Sequence, residues 1–364
     1  MISPDGIEPC GIEERIPLAL SDPVLTIQGK AADLGRNLHP DSAAELRAMT
    51  RIMNAYYSNL IEGHNTRPSD IEAALEGRLD DTENRPLAEE ATAHVRVQQW
   101  IDDLSKGGAS IEPTSQDFIR AVHKKFYDEM PVEFRTVVDG HLRAEIIPGV
   151  YRTAGQEVRV GDHYPPKADI VPRCMAYFEG RFRGLTRGRT GAILSIPAAH
   201  HRFNHIHPFV DGNGRVSRLM SHAMAQSAGI HGRGLWSISR GLARGLREPA
   251  EYKERMRSAD TPRQGDRDGR GNLSLSRLES FSAWFLTVAL DQITFTDAMF
   301  DLKGLEKRYS ALLGNLYPEK ERLPKLIRHV LKLGEMQRGD AQFVTGTQDR
   351  AARKDLATLF DGAF

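Results

Sequence analysis

A chain of 364 residues is long enough for two or three domains with a substantial core. Apolar residues at 40% and charged residues at 27% are ordinary for a soluble globular protein, and no apolar run reaches the length of a membrane span. Lys plus Arg and Asp plus Glu number 49 each, so any basic surface must be local, and two cysteines (Cys10, Cys174) are too few for a disulfide framework or a thiolate metal site.

The N-terminal stretch, MISPDGIEPCGIEERIP, carries acids and prolines where a secretory signal would have basic residues followed by an apolar run. A cytoplasmic location is the expectation. The first thirty residues read as an irregular, extended arm. From Asp41, Leu46, Met49, Ile52, Met53, Tyr56, Tyr57 and Leu60 fall at helical spacing, with Gly63 placed to end the helix. A second helix starts behind Pro68 and Ser69, and a third runs through LAEEATAHVRVQQWIDDLSK to a Lys-Gly-Gly stop. TSQDFIRAVHKKFYDEM opens with a cap-like Thr114 and carries Phe118, Ile119, Val122 and Phe126 on one side.

The pattern changes at PGVYRTAGQEVRVGDHYPP, where alternating Val158-Arg159-Val160 predicts a short β-hairpin. Helices resume in KADIVPRCMAYFEGRF and GAILSIPAAHHRFNHI. RVSRLMSHAMAQSAG reads as an apolar helix ending at Gly229, and SRLESFSAWFLTVALDQITFTDAMF as a long buried one. RQGDRDGRGN between them reads as a surface turn. The last sixty residues form a separate pattern of two or three short helices. The expected divisions are 1–105, 106–300 with a flap near 149–166, and 301–364.

The chemistry is concentrated in His207 to Arg218, HPFVDGNGRVSR. Gly212-Asn213-Gly214 between two helices is either a plain connecting turn or, at a helix N-terminus, a nest of N–H groups for an anion. Arg215 and Arg218 lie three apart in the first turn of the next helix. There they oppose the helix dipole unless an anion compensates, and their planar forks match phosphate oxygens. Pairing with acids is the structural alternative. Asp211 is a turn cap or, beside a polyphosphate, a ligand for Mg²⁺. His207 is a core histidine or a base near neutral pH. His200, His201 and His205 raise a zinc question, which the absence of a supporting Glu or Cys weighs against.

HPFVDGNGRVSR resembles the signature of the Fic/Doc family, His-x-Phe-x-Asp/Glu-Gly-Asn-Gly-Arg-x-x-Arg, at every fixed position. AAHHRFNHIHPF and GLWSISRGLAR add to a likeness covering most of residues 40 to 300. The resemblance implies a mainly α fold: a Fic-type helical bundle with a short β-hairpin flap. It implies AMP transfer from ATP to a Tyr, Thr or Ser hydroxyl of a protein, with the chain itself left open as one candidate target. By motif position His207 would be the base, Asp211 the Mg²⁺ ligand, Gly212, Asn213 and Gly214 the phosphate nest, and Arg215 and Arg218 the outer-phosphate clamps. Val158, Arg159 and Val160 would dock the target by strand addition, and the adenine site falls loosely near Trp236 to Arg244.

The resemblance makes a second stretch legible. Ser58-Asn-Leu-Ile-Glu62-Gly63 matches the inhibitory motif Ser/Thr-x-x-x-Glu-Gly/Asn of many Fic proteins. Ser58 and Glu62 share a helix face, so a carboxylate delivered there can pair with Arg218 in place of a γ-phosphate. In some relatives that glutamate supports AMP removal. Residues 301–364 resemble a winged helix-turn-helix with Thr347 as cap and Arg350, Arg353 and Lys354 exposed, fit to contact DNA or a protein partner. The chain stops where a wing should follow, so the wing is lost or the chain is truncated. A homodimer is left open. The rivals to self-inhibited AMP transfer are deAMPylation, Doc-like phosphate transfer, and an ATP-sensing DNA-binding regulator.

Overall fold

The computed structural model describes residues 3–12, 16–78, 85–106, 111–130, 132–139, 142–300, 302–333 and 336–362. Its helices in the first 300 residues are α1 (Leu18–Asp33), α2 (Pro40–Ile61), α3 (Pro68–Leu75), α4 (Arg85–Lys106), α5 (Gln116–Asp128), α6 (Val171–Leu185), α7 (Arg189–Ile206), α8 (Asn213–Ser227), α9 (Ser239–Arg244), α10 (Glu251–Ala259) and α11 (Leu275–Met299). The mainly α architecture follows the apolar periodicity of the chain. No described helix is long and apolar enough to cross a membrane.

The core centres on α7 and α8, which pack on each other and bury residues on almost every face. Phe203, Ile206, Phe209, Val216 and Leu219 are all essentially inaccessible to solvent. Burial of that order stabilises each large side chain by about 1.5–3 kcal/mol. α5 covers α8 with Ile119, Val122 and Phe126, and α4 and α2 close the same side. The cap of α5 is Ser115, whose hydroxyl accepts from Phe118 N at 3.2 Å, one residue beyond the expected Thr114.

Three expectations need correction. The N-terminus is not an extended arm. Leu20, Val24, Ile27 and Ala31 recur at helical spacing and are buried along α1, which packs on α11. Pro23 falls in the second turn of α1, and the early prolines obscure the pattern in the sequence.

The hairpin is also elsewhere. β1 (Thr136–Asp139) and β2 (Leu142–Glu145) pair antiparallel, Thr136 opposite Glu145 and Asp139 opposite Leu142. The 149–166 segment holds a single bridge, Val160 with His163, around Gly161 at φ 58°. Gly155, Gly161 and paired prolines break the ladder there, so Val158-Arg159-Val160 has alternation without a partner strand.

In the last sixty residues, α12 (Leu302–Leu316), α13 (Leu323–Leu333), α14 (Ala341–Thr345) and α15 (Asp349–Asp361) enclose their own small core of Leu313, Leu323, Leu326, Ala341, Ala352 and Leu359. No strand occurs among the described residues here. Gln348, not Thr347, caps α15. Arg350, Arg353 and Lys354 are exposed as expected, with Arg353 paired to Asp349 at 2.8 Å.

Candidate active site

The motif residues span the junction between α7 and α8. α7 ends at His207, which adopts the left-handed conformation (φ 50°, ψ 63°), uncommon for a residue with a side chain. Gly212 (φ 80°) caps α8 and has the Tyr127 ring where a Cβ would go, so no other residue fits. The first N–H groups of α8 are thereby left without intrahelical acceptors. The Asn213 side chain is buried and bridges back to Phe209, accepting from its N–H and donating to its carbonyl at 2.9 Å each. Its contribution to the nest is through the backbone, and its amide locks the loop.

His207 is half-buried, and its Nδ1 lies 3.3 Å from Asn204 O. Burial pushes the imidazole down to about 4, so at pH 7 it is neutral and carries a free lone pair. Asp211 is 47% exposed, and one oxygen accepts from the Tyr127 hydroxyl at 2.7 Å. A single accessible carboxylate is the donor set Mg²⁺ uses when phosphate oxygens and water complete its shell, so the residue fits that ion.

Both motif arginines are buried and both are paired. Arg218 donates through Nε to Ser58 Oγ (2.8 Å), and through a terminal nitrogen to Ser58 O (3.1 Å) and Glu62 Oε1 (2.6 Å). α2 delivers Glu62 because it stops there. Gly63, at φ 91°, lets the His64 N–H turn back onto Asn59 O at 2.9 Å. Partial burial alone would raise the Glu62 carboxyl, but the charges of Arg218 and Arg215 outweigh it and hold it at about 2. The carboxylate lies against Gly214, where an added Cβ would collide with Glu62 Oε1.

Arg215 pairs with the buried carboxylate of Glu90 on α4 and lies over the Phe126 ring at 5.6 Å. Burial opposes its charge, yet Glu90, Asp211 and Glu62 raise its pKa further. Glu90 in turn accepts from His64 Nδ1 at 2.7 Å, and that bond raises the His64 imidazole.

Arg152 ties the 149–166 loop to this junction. Its buried guanidinium donates to the carbonyls of His207 (2.8 Å), Ile206 (3.3 Å) and Pro166, and its own N–H donates to Pro208 O at 2.9 Å. Val158, Arg159 and Val160 lie on the outer, more exposed part of this loop.

A sequence model described as the Fic/DOC family matches residues 113–225, from the start of α5 to the last turn of α8. A Fic domain thus spans residues 113–225. The chain is similar to the protein adenylyltransferase Fic of Drosophila melanogaster, 37% identical over 116 residues, and of Drosophila ananassae, 28% identical over 116 residues. Each alignment covers 30% of this chain and 23% of the relative, so the chain spans about a quarter of the length of these curated relatives. A Fic family protein from Desulfovibrio desulfuricans G20 is similar in fold, with a TM-score of 0.55 and 17% identity over 96% of this chain and 90% of that one. A Fic domain containing signaling protein from Bacteroides thetaiotaomicron VPI-5482 gives 0.57 and 17% over 76% and 96%.

Sequence reasoning missed four residues of this Fic-domain site: Tyr127, Arg152, Glu90 and His64. Tyr127 was hidden among the apolar positions of α5. Arg152 and Glu90 are charged yet 1% and 6% exposed, and only burial marks them out.

Proposed function

We propose that the chain transfers AMP from ATP to a hydroxyl side chain of a protein and that Glu62 holds this activity in check. The reading rests on one observation: a neutral imidazole, an accessible carboxylate and a helix N-terminus carrying two acid-paired arginines come together at the α7–α8 junction. Similarity to protein adenylyltransferases supports it.

In this reading His207 takes the proton of the target hydroxyl. The hydroxyl oxygen then attacks the α-phosphorus, the bond from that phosphorus to the α–β bridging oxygen breaks, and pyrophosphate leaves. A triphosphate beside His207 adds negative charge that raises the imidazole from about 4 toward neutrality and makes it a better base. The backbone of Gly212 to Gly214 cradles the phosphates next to the base, and Arg215 and Arg218 anchor the outer ones. Asp211 would hold Mg²⁺, which when bound offsets the phosphate charge that a lone carboxylate would repel. The outer 149–166 loop presents the target chain by strand pairing.

Glu62 occupies Arg218 and the space over Gly214, the position a γ-phosphate needs. ATP then binds without that anchor, with its α-phosphate out of line for attack. Removing the carboxylate frees both.

ATP labelled on the α-phosphate tests this. Wild type, Glu62→Gly, and Glu62→Gly with His207→Ala are compared for label retained on protein, with a panel of candidate targets supplied. Strong labelling by the single variant alone supports both the transfer and the brake. Label carried only from the γ-position overturns AMP transfer in favour of phosphate transfer. No transfer of either label removes the enzymatic reading.

A further inference from the structure

The zinc question raised by the histidine-rich end of α7 has an answer that spacing did not suggest. His200 is engaged by Ser221 Oγ at 2.9 Å and by the Tyr252 hydroxyl at 2.7 Å, so both of its nitrogens are used inside the core. His201 is held by Met256 O at 3.0 Å on one side and receives Arg202 at 2.8 Å on the other. His205 instead meets two residues distant in sequence, His163 from the 149–166 loop and Asp260 at the end of α10. One ligand atom from each of the three lies within 4.8 Å of the other two.

We propose that His163, His205 and Asp260 form a site for a borderline divalent transition-metal ion such as Zn²⁺. Two imidazoles and a carboxylate suit such an ion better than Mg²⁺ or Ca²⁺, which favour oxygen. In a tetrahedral zinc site the ligand atoms are about 3.4 Å apart, from bonds of roughly 2.1 Å. The cluster therefore needs to tighten by on the order of 1 Å on binding, and His163 sits on a partly exposed loop.

The supporting bonds are already in place. His163 Nε2 donates to the His205 carbonyl at 2.8 Å, so Nδ1 is the ring nitrogen that this bond leaves unengaged. Asp260 Oδ1 faces His205 Nδ1 at 2.8 Å and His201 Nε2 at 3.3 Å, while Oδ2 makes no hydrogen bond among the described residues.

The protonation states agree with this geometry. Burial pushes His205 down to about 4, and the bonds from His201 and His205 overcome burial to keep the Asp260 carboxyl well below its usual range. At pH 7 the cluster thus presents a neutral imidazole and an ionised carboxylate, the forms that bind metal. The His163 and His205 rings lie 4.4 Å apart, where two protons would repel but one shared cation would satisfy both. The buried Arg202 beside His201 sets a positive charge against the ion, and Asp260 faces that charge from the cluster side.

Such an ion would pin the 149–166 loop to the helix end two residues before His207. The proposal does not depend on AMP transfer, because its test reads metal directly. The untagged full chain, stripped with a chelator, is titrated with Co²⁺ and followed by visible absorption, then challenged with Zn²⁺. One equivalent with ligand-field bands that Zn²⁺ abolishes is expected in wild type and in Asp211→Asn. His163→Ala and Asp260→Asn are expected to lose more affinity than the roughly 10–100-fold that a supporting bond accounts for. Far-UV circular dichroism confirms that each variant folds, and two variants on separate elements guard against loss of one. Absence of bands in wild type, bands that survive both variants, or bands lost on Asp211→Asn instead would each overturn the site.

Discussion

Gly214→Ala tests the position of the Glu62 carboxylate without reference to activity. The added methyl collides with Glu62 Oε1 and approaches an Arg218 nitrogen at 3.1 Å, with no other neighbour closer than the Glu62 carboxyl carbon at 3.2 Å. The obstacle is the far end of a side chain, so relief comes by breaking the 2.6 Å bond to Arg218. A hydrogen bond to a charged group contributes about 1.5–3 kcal/mol when buried, and an exposed ion pair about 0–1. Arg218 is 1% exposed and Glu62 32%, which places this bond between the limits at about 1–2 kcal/mol.

Against that loss, replacing glycine by alanine in a helix gains up to about 1 kcal/mol. In wild type Gly214→Ala should therefore destabilise by roughly 0–1.5 kcal/mol, whereas in a Glu62→Ala background it should stabilise by about 0.5–1. Urea unfolding of the four proteins gives a coupling of about 1–2 kcal/mol. Tryptophan fluorescence is the suitable probe, because Trp100, Trp236 and Trp284 all lie before residue 301 and report the core rather than the last helices. A Gly214→Ala effect equal in both backgrounds would falsify the placement of Glu62 over the nest.

Three other outcomes are expected. His94 and His200 are fully buried and held near 3, below the ordinary value of about 6.5, so the unfolded chain binds protons that the folded chain does not. Their contribution is complete above pH 6.5 and is lost as pH falls toward 3, at up to about 1.4 kcal/mol per pH unit for each ring. Unfolding midpoints between pH 7 and 5 read this, and a flat profile contradicts it. Arg152→Met strands the carbonyls of Ile206, His207 and Pro166 and should destabilise by about 2–4 kcal/mol, with Arg152→Lys failing to rescue because one ammonium cannot span the fork. If the lysine variant matches wild type in thermal unfolding, the clamp is not the reason for that arginine. Asn213→Ala removes both bonds to Phe209 and should cost about 1–3 kcal/mol, measured by denaturant midpoint; a neutral result would mean the amide is not the lock of the loop.

Local rules carried much of this molecule. The helices from α2 to α8 and α11 are written in apolar spacing, and Gly63 and Gly212 mark the chain reversals that only a residue free of Cβ makes easily. The motif from His207 to Arg218 was legible because its members are adjacent in the chain, and so was Ser58 with Glu62, one helical turn apart.

What the sequence left open was decided by elements meeting across long separations. Arg215 was readable as a phosphate clamp, but its partner Glu90 comes from α4, and no local pattern distinguishes that acid from the exposed ones around it. The value of Arg152 lies in three carbonyls, two at the end of α7 and one in the 149–166 loop, which come together only in the folded chain. α1 and the true hairpin were missed where prolines, or a run as short as four residues, blurred the periodicity. Periodicity is a property of neighbours in the chain. Charge compensation, burial and the convergence of His163, His205 and Asp260 are properties of neighbours in space, and only the tertiary structure supplies those.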